Sequence, residues 1–453
     1  MQKQIIVAVL GLCLCTSSIA LGAGFSLIEQ SVSGLGTAYS GGAAAAEDAS
    51  TLYFNPAGMV LLQGQEVIGG VHYIMPSAEF TKTSASNALG APIPGGNGGD
   101  GGVSRAIPNF YYVKNLDKLA VGLGINVPFG LTTEYDKTWV GRYHAVNSDV
   151  QTLNLNPSVA FKVDERLSLG AGVSAQMFKV NLTNMVDFGL ASGVGAIASN
   201  PNADIYADLK ADSWGYGYNL GALYRYSDGG RVGLAYRSRI THKVKGDVDF
   251  TVQNPAFLTG VNPALLTAAN ASFPDQDISG KITLPATASL SLYQELNPQW
   301  ALVADITWTE WSTFESLVIN FDQGLGAGGA TKQSVTTESW RDNWRYALGT
   351  TFQANAALTL RAGAAYDQTP ISDDRNRTPR VPDNSRTWLA AGAGYALSEA
   401  LMLNVGYAHL FVKESRMNKT ITGPSDEDTG RGAVQGTFAT SVDIASLEVV
   451  YRF

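Results

Sequence analysis

Leu119-Ala120-Val121-Gly122-Leu123-Gly124-Ile125-Asn126-Val127 is the stretch that decides the fold. Its odd positions are all aliphatic. Its even positions, Ala120, Gly122, Gly124 and Asn126, are small or polar. A period of two makes a β-strand with one apolar face, because successive side chains point to opposite sides of the pleat. The pattern recurs downstream. Leu401, Leu403, Val405 and Tyr407 alternate with Asn404, Gly406 and Ala408, and Leu410 breaks phase only near the end. The chain closes on Leu447, Val449, Tyr451 and Phe453, set against Glu448, Val450 and Arg452. Such a face serves either a soluble β-protein core or lipid, and the connections between strands choose between the two.

Fourteen candidate strands follow from this reading: 65–78, 105–115, 118–128, 150–163, 166–180, 212–226, 231–242, 281–294, 299–311, 340–354, 357–367, 386–397, 400–412 and 441–453. Most are long enough to cross a bilayer when tilted. Short turns (Asn115 to Lys118, Val163 to Arg166, Ser227 to Gly230, Glu295 to Gln299, Ala354 to Ala357, Leu397 to Ala400) alternate with long loops at about 79–104, 129–149, 181–211, 243–280, 312–339, 368–385 and 413–440. Segregation of loop length by parity is the layout of a transmembrane barrel, short turns on the periplasmic side. A soluble sandwich has no reason to produce it. Trp214, Trp308, Trp311, Trp340 and Trp388 fall towards the long loops and Trp300 beside a short turn, as interfacial girdles require, with Trp344 less clear. The fold expected is all-β, a fourteen-stranded antiparallel transmembrane β-barrel.

Composition agrees. Only 15% of residues are charged and 45% are hydrophobic, yet beyond the first 22 residues no run of roughly 18 apolar residues exists to make a helical span. Residues 1–22 have the form of a cleavable export signal, with Lys3, an apolar run from Ile5 to Leu14, and Ala20-Leu21-Gly22. Both cysteines, Cys13 and Cys15, lie inside it, so the mature chain has no thiol chemistry. A net charge of −8 without basic clusters gives no footprint for nucleic acid. His72, His144, His242 and His409 are scattered, with no metal or triad spacing. Gly122-Leu123-Gly124 lies within a strand, so it is no phosphate cradle. Asp373-Asp374 and Asp426-Glu427-Asp428 read as solvated loop acids. No enzyme, cofactor or metal is expected.

The segment before the first strand, Ala23 to Met59 (AGFSLIEQSVSGLGTAYSGGAAAAEDASTLYFNPAGM), is different in kind. It is rich in small residues and has neither strand alternation nor long helical periodicity. We read 23–62 as a hatch inside the barrel 63–453. With Ala23-Gly24-Phe25, Ser33-Gly34-Leu35-Gly36, Ala38-Tyr39-Ser40-Gly41, Asp48-Ala49 and Asn55-Pro56-Ala57, then Trp340-Arg341-Asp342 leading into Tyr346-Ala347-Leu348-Gly349, and Pro382-Asp383 with Arg386 and Trp388, the chain resembles the FadL family over its whole mature length. Those proteins are outer-membrane transporters of long-chain fatty acids and other hydrophobic compounds. The terminal Phe453 is similar to the signal that barrel-assembly machinery reads.

The resemblance implies a monomeric barrel in the Gram-negative outer membrane, surrounded by its lipid. Cargo would pass by passive diffusion through a hatch-gated path and leave sideways at a kink in the third strand. Gly122, Gly124 and Pro128 are the candidate positions for that opening, since Pro128 cannot donate to a ladder and glycine removes bulk. Asn55 and Pro56 resemble the hatch motif that faces it. Phe25, Leu27 and Phe54 are candidate pocket residues. The unusually apolar loops containing Phe188 and Leu190, and Phe257, Leu258, Leu265 and Leu266, correspond to a capture groove. Two basic residues that meet the carboxylate in fatty acid carriers align with Asn184 and Thr336, which are uncharged. Lys179 and Arg341 are the cations nearby, although strand parity points Lys179 outward. Uncharged hydrocarbons such as alkanes and monoaromatics are therefore an alternative cargo, and a general aqueous porin, with a charge-lined open lumen, a further one.

Overall fold

The computed structural model describes residues 23–453; the expected export signal lies outside them. Fourteen staves form a closed antiparallel barrel. They are β1 Gln65–Ser86, β2 Arg105–Leu116, β3 Leu119–Asn126 resuming as Gly130–Glu134, β4 Asn147–Lys162, β5 Leu167–Val186, β6 Ile205–Ser227 and β7 Gly230–Arg237 resuming as Ile240–Val252. The rest are β8 Gln276–Leu284 resuming as Thr287–Glu295, β9 Trp300–Thr309 resuming as Ser316–Leu325, β10 Thr331–Thr337 resuming as Asn343–Gln353, β11 Leu358–Asp367, β12 Arg386–Ala396, β13 Leu401–Val412 resuming as Ser415–Lys419, and β14 Ala433–Arg452. Each pairs with its neighbour in sequence. Val67 of β1 lies opposite both Tyr112 of β2 and Tyr451 of β14, which closes the ring. Closure leaves no unpaired edge to be desolvated in lipid.

Alternation along the staves sorts side chains as the sequence requires. Leu123, Val173, Leu220, Leu234, Leu290, Leu348 and Leu389 are exposed on the outer wall. Several strands extend further towards the long loops than apolar alternation indicated: β1 runs to Ser86 and β6 starts at Ile205. Above the bilayer the outer face meets water, so its residues there are polar and the ladder continues without an apolar stripe.

The tryptophans divide. Trp214, Trp300 and Trp344 are exposed on the outer wall, at 50%, 42% and 43%. Trp311, Trp340 and Trp388 are buried at 0%, 4% and 1%, which corrects the expectation that they belong to a lipid-facing girdle. Trp388 alternates with lipid-exposed Leu389 and so points inward. Trp311 and Trp340 lie where β9 and β10 are interrupted, at 310–315 and 338–342, and the interruptions turn them into the lumen.

Residues 23–62 lie against the inner wall. A helix, Val32–Gly36, is capped by Ser31 Oγ on the Gly34 amide, and two further single-turn helices and a 3₁₀ turn, Pro56–Leu61, follow. The inner wall holds this segment through polar contacts. Arg345 Nη2 donates to the Ala38 carbonyl (2.6 Å), Arg237 Nη2 to that of Tyr53 (2.9 Å), and Ser168 Oγ to that of Ala57 (3.0 Å). The Val32 amide donates to Glu448 Oε2 (3.1 Å), and Arg361 pairs with Glu47 (2.9 Å). A lumen wide enough for a water channel is filled by a segment whose backbone groups find wall partners.

Candidate functional site

An aromatic septum in the lumen has a cavity on either side. Phe25 is its centre: its ring lies 4.8 Å from Trp311, 5.9 Å from Phe314, 5.9 Å from Trp340 and 6.1 Å from Phe129, mostly edge to face. Edge-to-face packing satisfies ring quadrupoles and adds about 0.5–1.5 kcal/mol per pair beyond burial. One face of the septum, with Phe25 and Phe314, lines the outer cavity. The other, with Leu27 and Trp311, lines the inner one.

The outer cavity is apolar. Leu131, Val150, Phe178, Leu182, Leu209, Val244, Ile278 and Leu317 form its walls. Its ionisable lining residues are Glu338, Arg380 and Lys281, of which Lys281 is exposed and sits at an outward position of the strand. Arg380 Nη1 donates to the Asn147 carbonyl (3.1 Å) and to Ser148 Oγ (3.0 Å), and its Nη2 lies 3.5 Å from Asn184 Oδ1. It forms no ion pair among the described residues. Enclosure by protein lowers its pKa to about 10, so it stays charged at neutral pH. Glu338 accepts from Trp340 Nε1 (2.9 Å), and burial raises its pKa to about 8, against the pull of Lys419. At pH 7 the cavity therefore offers one cation and, for the most part, a neutral carboxyl.

The inner cavity is mixed. Ile28, Phe54 and Tyr53 of the 23–62 segment face Asn219, Asp305, Arg345 and Asp367 of the wall. Phe54 is half-buried and stacks on Tyr39 at 6.1 Å.

The wall is interrupted next to the septum. Between Asn126 and Gly130 the β3 ladder breaks at Val127, Pro128 and Phe129, and residues 25–30 take over part of its hydrogen bonding. The Leu27 amide donates to the Pro128 carbonyl (2.9 Å) and the Gly130 amide to that of Phe25 (3.0 Å). Gln30 Nε2 reaches the Val127 carbonyl (2.7 Å). Pro128 has no amide to give, so the break falls where the ladder would lose a donor in any case. Gly122 and Gly124 lie below the break and serve as a seat: a Cβ at either would come within 2.6 and 2.9 Å of the Leu52 side chain.

Several expected positions lie elsewhere. Lys179 is on the outer face of β5, lining an exposed groove with Asp149, Lys210 and Asp212, because simple parity holds without a bulge. Arg341 is exposed beyond the septum, its amide on the Pro370 carbonyl. Neither lines the outer or the inner cavity. Asn55 and Pro56 pack against Gly221 of β6, and Asn55 Nδ2 bridges the carbonyls of Ala43 (2.7 Å) and Ala222 (3.0 Å); they do not face the β3 break. Phe188, Leu258 and Leu265 are buried among themselves, because the helices Pro255–Val261 and Pro263–Ser272 fold their apolar sides onto the turn Phe188–Ala191. Leu190, Phe257 and Leu266 are half-buried, and Phe257 packs against that cluster. Arg380 and Glu338 escaped sequence reasoning, since an isolated charge in a long loop carries no periodic signal.

The comparisons with known proteins agree with this geometry. A profile of the outer membrane protein transport protein family (OMPP1/FadL/TodX) matches residues 13–453. The chain is 32% identical over 407 residues to a long-chain fatty acid transport protein of Escherichia coli O6:H1, covering 87% of this chain and 88% of that protein. Its fold is similar to the crystal structure of a Pseudomonas aeruginosa FadL homologue, with a TM-score of 0.84 and 27% identity over 95% of this chain and all of the other (100%). It also matches the Pseudomonas putida toluene transporter TodX in fold, with a TM-score of 0.67 at 17% identity, covering 95% and 100% of the two chains. This chain is an outer-membrane β-barrel belonging to the OMPP1/FadL/TodX family of transport proteins.

Proposed function

We propose that the chain carries long-chain fatty acids or closely similar amphiphilic acids by passive diffusion, with Arg380 meeting the carboxylate. The observation that carries this reading is a guanidinium with no ion-pair partner among the described residues, set in a largely apolar cavity that also holds Glu338. An aliphatic tail gains about 25 cal/mol per Å² on leaving water for such walls, and a carboxylate there finds a charge-assisted partner. Arg380 reaches Asn184, one of the two positions where a basic residue is missing, so a cation from another loop takes up the vacated role. Leu190, Phe257 and Leu266 provide a landing edge outside. Release requires the Phe25 septum to part and the 25–30 segment to leave the β3 break, opening a sideways route into the membrane.

Hydrocarbon cargo is the second reading, favoured by the walls of the outer cavity being apolar apart from Arg380 and Glu338. Uptake of a long-chain acid and an alkane of equal length by cells lacking their own transporter separates the two. Preference for the acid that disappears in Arg380→Met supports the first, and equal handling by both proteins hands the case to the second. The aqueous porin reading meets a lumen occupied by 23–62. Phe25→Ala removes the centre of the septum and is expected to raise acid uptake or ion conductance; no change in either would remove the septum from the mechanism.

A further inference from the structure

The outer wall of β7 and β8 is layered by charge. On Ile240–Val252 the outward side chains in order are Thr241, Lys243, Lys245, Asp247 and Asp249, all exposed. On β8 they are Thr283, Lys281, Ser279 and Asp277. The register sets Lys243 directly opposite Lys281 and, further from the membrane, Asp247 directly opposite Asp277. Like charges directly opposite destabilise a sheet. A wall needing only solvation would have crossed the signs. Lys245 has Asp212 opposite it, but the side chain of neither Lys243 nor Lys281 takes part in a hydrogen bond or ion pair among the described residues.

The lysine rung sits at the membrane surface. One step below it the hydroxyls of Thr241 and Thr283 bond to each other (3.0 Å), and below those Arg239 pairs with Glu310 (2.7 Å). On neighbouring β6 the outer face carries Trp214, Tyr216 and Tyr218, exposed at 50%, 75% and 48%, which marks the interfacial belt.

We propose that Lys243 and Lys281 together bind the phosphate of an anionic lipid in the surrounding leaflet. Facing Cβ atoms about 5 Å apart let two ammonium groups converge on one phosphate. The phosphate removes the repulsion that the bare rung suffers. The aspartate rung above repels the headgroup and fixes its depth. Both lysine side chains project from the outer face of the wall, away from the lumen.

The test uses the full mature chain in detergent, with phosphatidic acid, phosphatidylcholine and inorganic phosphate as probes, read by native mass spectrometry and thermal unfolding. Wild type is expected to retain phosphatidic acid over phosphatidylcholine. The double variant K243Q/K281Q should lose about 30-fold in apparent affinity, roughly 1 kcal/mol per lysine. Without anionic lipid it should melt higher than wild type, and phosphatidic acid should no longer raise its melting temperature. K118Q/K332Q, which removes the same charge elsewhere, should behave as wild type. Unchanged lipid retention in K243Q/K281Q, or an equal loss in K118Q/K332Q, overturns the proposal. So does stabilisation by inorganic phosphate as large as that by phosphatidic acid, which would make the rung a site for free anions.

Discussion

Arg380→Met is the sharpest perturbation of the lumen. Methionine keeps the length and apolar stem of the side chain and removes every donor. If the carboxylate of a bound acid accepts from the guanidinium, the loss is one charge-assisted hydrogen bond, about 1.5–3 kcal/mol. That is roughly 10- to 150-fold in Kd for the acid. The cavity walls are untouched, so an alkane of equal length should bind within about twofold of its wild-type affinity, well under 1 kcal/mol. The side chain also holds the Asn147 carbonyl and Ser148 Oγ. Their release costs about 1 kcal/mol each in stability, which thermal unfolding in detergent reads separately. Binding is measured by displacement of a fluorescent long-chain probe by the acid and by the alkane. Equal losses for both ligands would mean that Arg380 only shapes the cavity. No loss for the acid would mean that the carboxylate lies elsewhere, and the reasoning fails.

Lys179→Ala and Arg341→Ala should leave acid preference unchanged, because neither residue lines the outer or the inner cavity; a shift above about threefold, some 0.7 kcal/mol, would place one of them on the path. Glu338 gives a pH dependence. Its pKa rises from 4.5 to about 8, so across that window the folded chain keeps a proton that the unfolded chain has released. Stability should therefore fall as pH climbs from 4.5 to about 8, and Glu338→Gln should flatten the profile. Above about 8 the ionised Glu338 competes for Arg380, so acid binding should weaken there in wild type but not in Glu338→Gln, and parallel curves would refute the coupling. Asn55→Ala removes a side-chain donor from the buried carbonyl of Ala43 and the half-buried one of Ala222. It should cost about 1–3 kcal/mol and speed hydrogen exchange in the hatch; unchanged exchange would show that other contacts hold this segment.

Much of the architecture is legible in the chain itself. Alternation at Leu119 to Val127, the parity of loop lengths and the absence of an apolar helix fix a barrel of fourteen staves, because β periodicity is local and lipid demands a closed ladder. The odd character of Ala23 to Met59 likewise sets it apart as something other than wall. Even the outward direction of Lys179 follows from counting by twos.

What only the tertiary structure decided is which side chains meet in the lumen. The septum joins Phe25 to Phe129, Trp311 and Trp340, residues far apart in sequence. Trp311 and Trp340 face inward because β9 and β10 break beside them, and a break resets the alternation on which sequence reading depends. Phe188, Leu258 and Leu265 read as an open apolar surface until two loop helices are seen to bury them. Arg380 becomes a candidate ligand for cargo only because an outer loop folds down into the barrel. Strand order is written in local periodicity, whereas the path for cargo is made by loops and hatch converging from the whole length of the chain.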